Sequence, residues 1–418
     1  MSVNKITDLI KQVEALKKQV EALKNKSVER RQKYSESRKK FRAEYKSKYK
    51  IKRQEIIQEN RALRKELQKV IRYQYGSFTP GIQSWQEKWS NSPGKRVLLY
   101  ALKDYSGSFM KWAIAINEFT PYAARLIAFG NHQYGYDVDL IFPMPNLLDS
   151  DFLKLAEEAD LIHIKDEIGF FEGSNQLPPD LFTQFNKPLI FTHYGGKARK
   201  FQDNTSYQNY VASFAARIAL TPDLCYPWFD GYFIPQGMDT EKFQYSWKDG
   251  RLLAHSPSTS ARKGTDNLLK AIQDLDIEFD LIHGVSHPEC LARKKLCNLF
   301  FDQAGREVPE KLGIDDVIGW YGNSALEAAV HGIPTIAHLS DEAFKGAKRG
   351  GKDIKHKCAI INTPLDAEGI RETISKYFEL SSFERKELSQ KTRAWVKDFH
   401  SFSVVAKELQ AVYDQVLK

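Results

Sequence analysis

Cysteine is scarce in this 418-residue chain, and the four present (Cys225, Cys290, Cys297 and Cys358) form no CxxC pair or zinc-finger spacing. A chain of this size needs no disulfide staples, so the cysteines argue for a reducing compartment and against a disulfide framework. Long apolar runs are also missing: no stretch approaches the roughly 18 to 20 uncharged residues that a membrane span requires. The opening MSVNKITDLIKQ has no secretory hydrophobic core. The expected location is the cytoplasm, with the membrane surface as a second place of action. Proline and glycine are absent from Met1 to Tyr75, so nothing in that segment breaks a helix.

What is present divides the chain in two. Residues 1–75 carry 23 Lys and Arg against 9 Asp and Glu, a net of +14; the rest carries 39 against 44, a net of −5. The basic character therefore belongs to one segment, and charge gives the body no reason to bind nucleic acid. Ile6, Val13 and Val20 fall seven apart, as do Leu9, Leu16 and Leu23. β-Branched residues at a and leucine at d favour a parallel two-stranded coiled coil. An apolar stripe continues through Tyr34, Phe41, Tyr45, Tyr49, Ile56, Leu63 and Val70, so residues 1–75 are expected to be a basic coiled-coil helix that makes a homo-oligomer through residues 6–70. Between Arg30 and Arg53 the helix is dense in cations with tyrosines interleaved. That stretch reads either as a solvated face or as a contact for an anionic polymer or the membrane surface.

Residues 76–94 read as a linker. Beyond them, short apolar runs alternate with amphipathic segments, the pattern of an α/β body with parallel sheets covered on both faces. Strands are expected at 96–102, 125–129, 160–164 and 188–192, then at 252–255, 279–283, 317–320, 335–338 and 359–361. Helices are expected at 108–118, 265–274, 289–303, 324–331 and 366–378, with helical material from about 382 to 418. This gives a first domain over 95–233, a second over 234–380, and C-terminal helices over 381–418 that can cross back to the first.

In such sheets ligands bind beyond the carboxyl ends of the strands, and four loops there are chemically suggestive. Ile234 to Asp239 is a turn-rich hinge. Arg262 and Lys263 precede a helix opening at Gly264, a suitable place for a phosphate. Gly322, Asn323 and Ser324 open another helix with Glu327 on its first turn; Ser324 and Glu327 also have the spacing of a capping box. His193 ends a strand before Gly195 and Gly196.

Together these loops resemble the retaining GT-B glycosyltransferases, which use nucleotide sugars and are built from twin Rossmann-like domains. The resemblance covers about residues 95–418. Residues 234–239 (IPQGMD) resemble the family's Pro-Asn-Gly-Val-Asp linker. Lys263-Gly264 resembles its pyrophosphate grip, and residues 326–334 (LEAAVHGIP) resemble its Leu-Glu-Ala-Met-Ala-x-Gly-x-Pro segment. The resemblance implies metal-independent transfer with retention from a UDP- or GDP-linked sugar to a polysaccharide or other glycan, without a bound cofactor. It implies donor contacts from Gly107, Lys263, Gly264, Gly322, Asn323, Ser324 and Glu327, with Glu327 on the ribose. Catalytic roles fall to His193, Lys263 and Arg262.

The chain departs from the family at three points. Gly319 stands where the first glutamate of Glu-x7-Glu would be, Ser258 replaces an arginine, and Gly107 is the lone glycine of the first phosphate loop. No Asp-x-Asp pair follows a strand in the second domain; Asp274-Leu-Asp276 precedes one. Two other functions suit the same features. One is a non-enzymatic coiled-coil scaffold with a degenerate GT-B body, and the other is a glycosyltransferase acting on DNA.

Overall fold

A computed structural model describes residues 82–101, 104–128, 139–141, 150–165, 180–258, 260–305 and 319–418. All belong to the compact unit Thr79–Lys418. The coiled coil and the cationic stretch between Arg30 and Arg53 lie outside the described residues, as do Val317 and Ile318 of one expected strand.

The first lobe is a seven-stranded parallel sheet of β1 (Arg96–Ala101), β2 (Ala123–Ala128), β3 (Leu140–Ile141), β4 (Leu161–Lys165), β5 (Leu189–His193), β6 (Ala216–Ala219) and β7 (Tyr232–Phe233), in the order 3-2-1-4-5-6-7. The second has β8 (Leu252–His255), β9 (Glu278–Leu281), β10 (Leu299–Gln303), β11 (Thr335–Ala337) and β12 (Ile361–Asn362), in the order 12-11-10-8-9, also parallel. The central strands are rich in apolar residues and almost wholly buried because helices cover both faces. Strand order reverses between β1 and β4 in the first lobe and between β8 and β10 in the second. The loops leaving those strands open crevices for ligands.

Three expectations need correction. The helix expected at 289–303 runs only from His287 to Lys294, and Leu299–Gln303 is the central strand of the second sheet. Ser286 caps that helix by accepting from the Glu289 amide, and the chain then turns so that Leu299, Phe300 and Phe301 are wholly buried. Gly319 and Trp320, the end of the strand expected at 317–320, are not in a strand. The presumed linker is helical over Ile82–Ser90, with Trp85 and Trp89 buried and the Trp89 indole donating to Glu158 at 2.8 Å.

The C-terminal helices Ser382–His400 and Phe402–Val416 meet at an extended Ser401. There the chain pairs with the hinge: the Met238 amide donates to the His400 carbonyl (2.7 Å) and the Phe402 amide to the Met238 carbonyl (3.2 Å). The last helix then packs on the first lobe, where Val405, Leu409, Val412 and Tyr413 share a core with Trp112 and Ile116. Leu409 is fully enclosed. Leu409→Ala is expected to lower the stability of the body by about 2–5 kcal/mol, the range for a buried leucine truncation. Chemical denaturation checks this, and an unchanged midpoint would show that the helix does not stabilise the first lobe.

Candidate functional site

The first-lobe wall begins where β1 ends. Asp104 accepts from the Phe109 and Met110 amides, each at 2.9 Å, and so caps the helix Ser108–Phe119. Lys165, at the end of β4, donates to Asp104 (2.9 Å) and Ser108 Oγ (2.6 Å) from a fully buried position. Between them Ser106 and Gly107 take left-handed conformations, φ 62° and 60°. The Ser106 carbonyl accepts from Gln236 of the hinge at 3.0 Å. Gly107 is therefore placed at the expected turn, while two amides of the following helix are engaged by Asp104.

His193 ends β5 inside a cage. Its ring stacks on Phe229 at 5.2 Å, one nitrogen meets Tyr207 Oη (2.8 Å) and the other the Leu224 carbonyl (3.2 Å). The residue has no exposed surface, and burial brings its pKa down to about 3, so it is neutral at physiological pH. Contact with a substrate would require the ring to leave this cage. His163 is enclosed in the same way, between Tyr413 Oη and Thr192 Oγ1.

The second-lobe wall is assembled at the β8/β10 switch. Lys263 donates to Asp302 Oδ1 at 2.8 Å, and the Gly322 amide donates to Asp302 Oδ2 at 2.6 Å. Two of the groups expected to hold a pyrophosphate thus converge on one carboxylate at the end of β10. Gly264 (φ +71°) is required next to them, since a Cβ there would come within 2.7 Å of the Gly305 carbonyl. Below the loop, buried His255 links the Phe301 carbonyl to Thr265 Oγ1, each at 2.9 Å. The Arg262 side chain lies outside the described residues.

Glu327 is not a capping residue. The helix Asn323–Ala329 starts after Gly322, and Ser324 Oγ meets Ser256 Oγ and Lys294 instead, both at 2.7 Å. The buried Glu327 carboxylate accepts from Lys294 (2.6 Å), His287 (2.9 Å) and Asn323 (2.7 Å). Burial works against its charge, but Lys294, His287 and Lys111 outweigh it and hold the group well below the usual carboxylate range. Lys294 is held above its ordinary value, because Glu327 overcomes the burial that favours the neutral amine. Lys111, from the first lobe, donates to Asn323 Oδ1 at 2.6 Å and ties the two walls together.

Sequence reasoning missed Lys111, Ser256, His287, Lys294 and Asp302. Asp302 was hidden by reading its strand as a helix. Lys294 falls inside the helix expected at 289–303, where nothing in the local sequence sets it apart. Among the described residues, no three His, Cys, Asp or Glu side chains come together in a way that could hold a metal ion. Among them, too, no helix is long and apolar enough to cross a membrane.

The departure at Gly319 has a geometric cause. Its φ is +63°, and a Cβ would run into the Ser340 side chain. The backbone conformation and this close approach both exclude a glutamate at that position.

No family model matches the chain, and no curated protein matches it. Solved structures do. An alpha-glucosyltransferase in complex with UDP and a 13-mer DNA containing an HMU base is 12% identical, with 76% of this chain and 99% of that chain covered and a TM-score of 0.53. An alpha-glucosyltransferase with UDP-glucose and DNA containing an abasic site gives 12%, 77%, 99% and 0.52. The N-terminal domain of Candida albicans trehalose-6-phosphate phosphatase gives 12%, 77%, 97% and 0.50. At this identity the likeness establishes architecture: the body has the GT-B fold.

Because Glu327 and Lys294 are buried together, removing either leaves an uncompensated charge. Glu327→Leu or Lys294→Met alone is expected to cost about 3–5 kcal/mol, and the double variant distinctly less than either. Denaturant unfolding of all four proteins checks this. Additive losses would show that the two charges do not depend on one another.

Proposed function

We propose that the protein is a retaining glycosyltransferase that moves a sugar from a nucleotide-sugar donor to a glycan acceptor. The reading rests on one observation above all, the convergence of the Lys263 ammonium and the Gly322 amide on a single anionic group at the β8/β10 switch. Asp302 now occupies both donors. A phosphate arriving at the same place offers more negative charge and a more exposed partner, and Lys263 can turn to it while Asp302 keeps its backbone bond.

The chemistry follows from the bond that breaks. As the anomeric carbon separates from the diphosphate oxygen, negative charge accumulates on the leaving group. Donors aimed at it then stabilise the transition state more than the ground state. Lys263 has that role, with Arg262 on the same turn as a second cation. The acceptor hydroxyl forms the new C–O bond on the face the diphosphate leaves, and its proton passes to a phosphate oxygen. Charge compensation comes from these cations and the backbone, so the step as proposed routes nothing through a metal. Glu327 fixes the donor. Three of roughly four acceptor positions on its carboxylate are filled by Lys294, His287 and Asn323, which leaves one for a ribose hydroxyl. His193 serves by packing the end of β5 within the first lobe rather than by touching substrate.

The acceptor is assigned from the segment ahead of the body. The basic charge and heptad pattern of residues 1–75 suit an anionic polymer or one presented at a membrane surface, such as a surface polysaccharide. The segment's net of +14 also supports a second reading in which the acceptor is DNA. That reading requires duplex binding that weakens steeply with salt and is lost on deletion of residues 1–75.

A panel of nucleotide sugars, assayed for thermal stabilisation and slow donor hydrolysis, tests the donor assignment. One member is expected to give both signals, whereas a scaffold with a degenerate body gives neither. Lys263→Ala is expected to lower transfer by roughly two to three orders of magnitude, as loss of an oxyanion donor does. Transfer at the full rate by that variant would overturn the mechanism.

A further inference from the structure

Among the described residues of the crevice, Lys111 is a cation with no carboxylate partner. Lys263 and Lys294 each pair with a carboxylate, Asp302 and Glu327. Lys111 does not. It sits on the first turns of the helix Ser108–Phe119, and its partners are the neutral Asn323 Oδ1 at 2.6 Å and the Met238 thioether at 3.7 Å. Among the described residues it forms no ion pair. Asp104 on its own lobe and Glu327 on the other attract its charge from a distance, while Lys294 opposes it, and His400 feels it in turn. Burial outweighs those attractions and brings its pKa down to about 8.

Lys111 is half-buried, and an ammonium in such a place is less stable without an anion than beside one, so an arriving anion is favoured there. The position of Lys111 says which anion fits. Its contact, Asn323, immediately follows Gly322, the residue whose amide joins Lys263 at Asp302, and Lys263 Nζ lies 3.1 Å from where a Gly322 Cβ would be. Lys263 reaches this turn from the second lobe and Lys111 reaches it from the first.

We propose that Lys111 is the first lobe's contact to the donor diphosphate, exchanging the Asn323 amide oxygen for a phosphate oxygen when the donor binds. The inference rests on the donor reading above and adds a specificity residue to it. An ion pair to the phosphate replaces a bond from the ammonium to a neutral amide oxygen, so the bound donor links the lobes through opposite charges. Asn323 then stays with Glu327.

Calorimetry on the full chain tests this with UDP, GDP, ADP, CDP and dTDP, and with the corresponding nucleosides. The proteins are the parent, Lys111→Met and Lys111→Arg, each at about pH 7 and about pH 9.5, a window in which the lowered lysine loses its proton. The diphosphate that binds the parent is expected to bind Lys111→Met about 10- to 100-fold more weakly, the worth of a hydrogen bond to a charged group, with nucleoside affinity unchanged. The parent is expected to lose a similar factor between the two pH values, because the charged form of Lys111 prevails below about 8 and the neutral form above it. Lys111→Arg keeps its affinity across that range, since a guanidinium stays charged. If Lys111→Met fails to fold, the comparison of parent and Lys111→Arg decides alone. Equal diphosphate affinity in parent and Lys111→Met, or a fall with pH that persists in Lys111→Arg, overturns the proposal and leaves the donor reading standing. If the parent binds no nucleoside diphosphate at all, the donor reading itself fails, and this inference with it.

Discussion

Carrying a charge into the interior of a protein without a partner is costly, and three cations of the loops around the crevice are each matched by a carboxylate. Lys165 is fully buried and is matched by Asp104, which also caps the helix leading into the first lobe's wall. Lys294 is matched by Glu327, and Lys263 by Asp302. Each pair joins segments far apart in sequence and fixes a loop at the carboxyl end of a strand. Positions that read separately as phosphate loop, nucleotide helix and pyrophosphate grip are thereby held as one surface. The same pairs hold the cations in fixed positions around the crevice.

The architecture was legible because apolar runs in parallel strands are long and bounded by turn residues. Leu252–His255 and the strands around β1, β4 and β5 stand close to where the pattern puts them. Leu299–Gln303 was not legible, for a physical reason. Five residues that begin Leu299-Phe300-Phe301, a short turn after a real helix, cannot be separated from its continuation by periodicity, and only burial on both faces makes them a strand. That error also concealed Asp302, since a carboxylate inside a supposed surface helix attracts no notice.

The site itself was read in part. The turn at Gly322 and the carboxylate of Glu327 were visible as a helix start, yet the carboxylate's partners were not. Lys294 and His287 come from another helix, and nothing in their local sequence shows that they turn inward. His193 shows the opposite failure. Thr192-His193 before two glycines has the look of a reactive strand end, while the residues that enclose it, Tyr207, Leu224 and Phe229, are scattered over the following stretch. Gly319 shows how a departure from a motif can have a structural cause. A Cβ in the left-handed turn at that position would collide with Ser340, so whatever the missing glutamate does elsewhere must be done here by other groups or not at all.

The helix Phe402–Val416 completes the core of the lobe that is synthesised first. On the ribosome, the earlier lobe has all its strands available long before the surface that covers Trp112 and Ile116 emerges, so its apolar face must wait through the translation of the entire second lobe. Domain-by-domain maturation, the usual course for chains of this size, can therefore finish in this body only once its last helix is made: the lobe made first is the one sealed last.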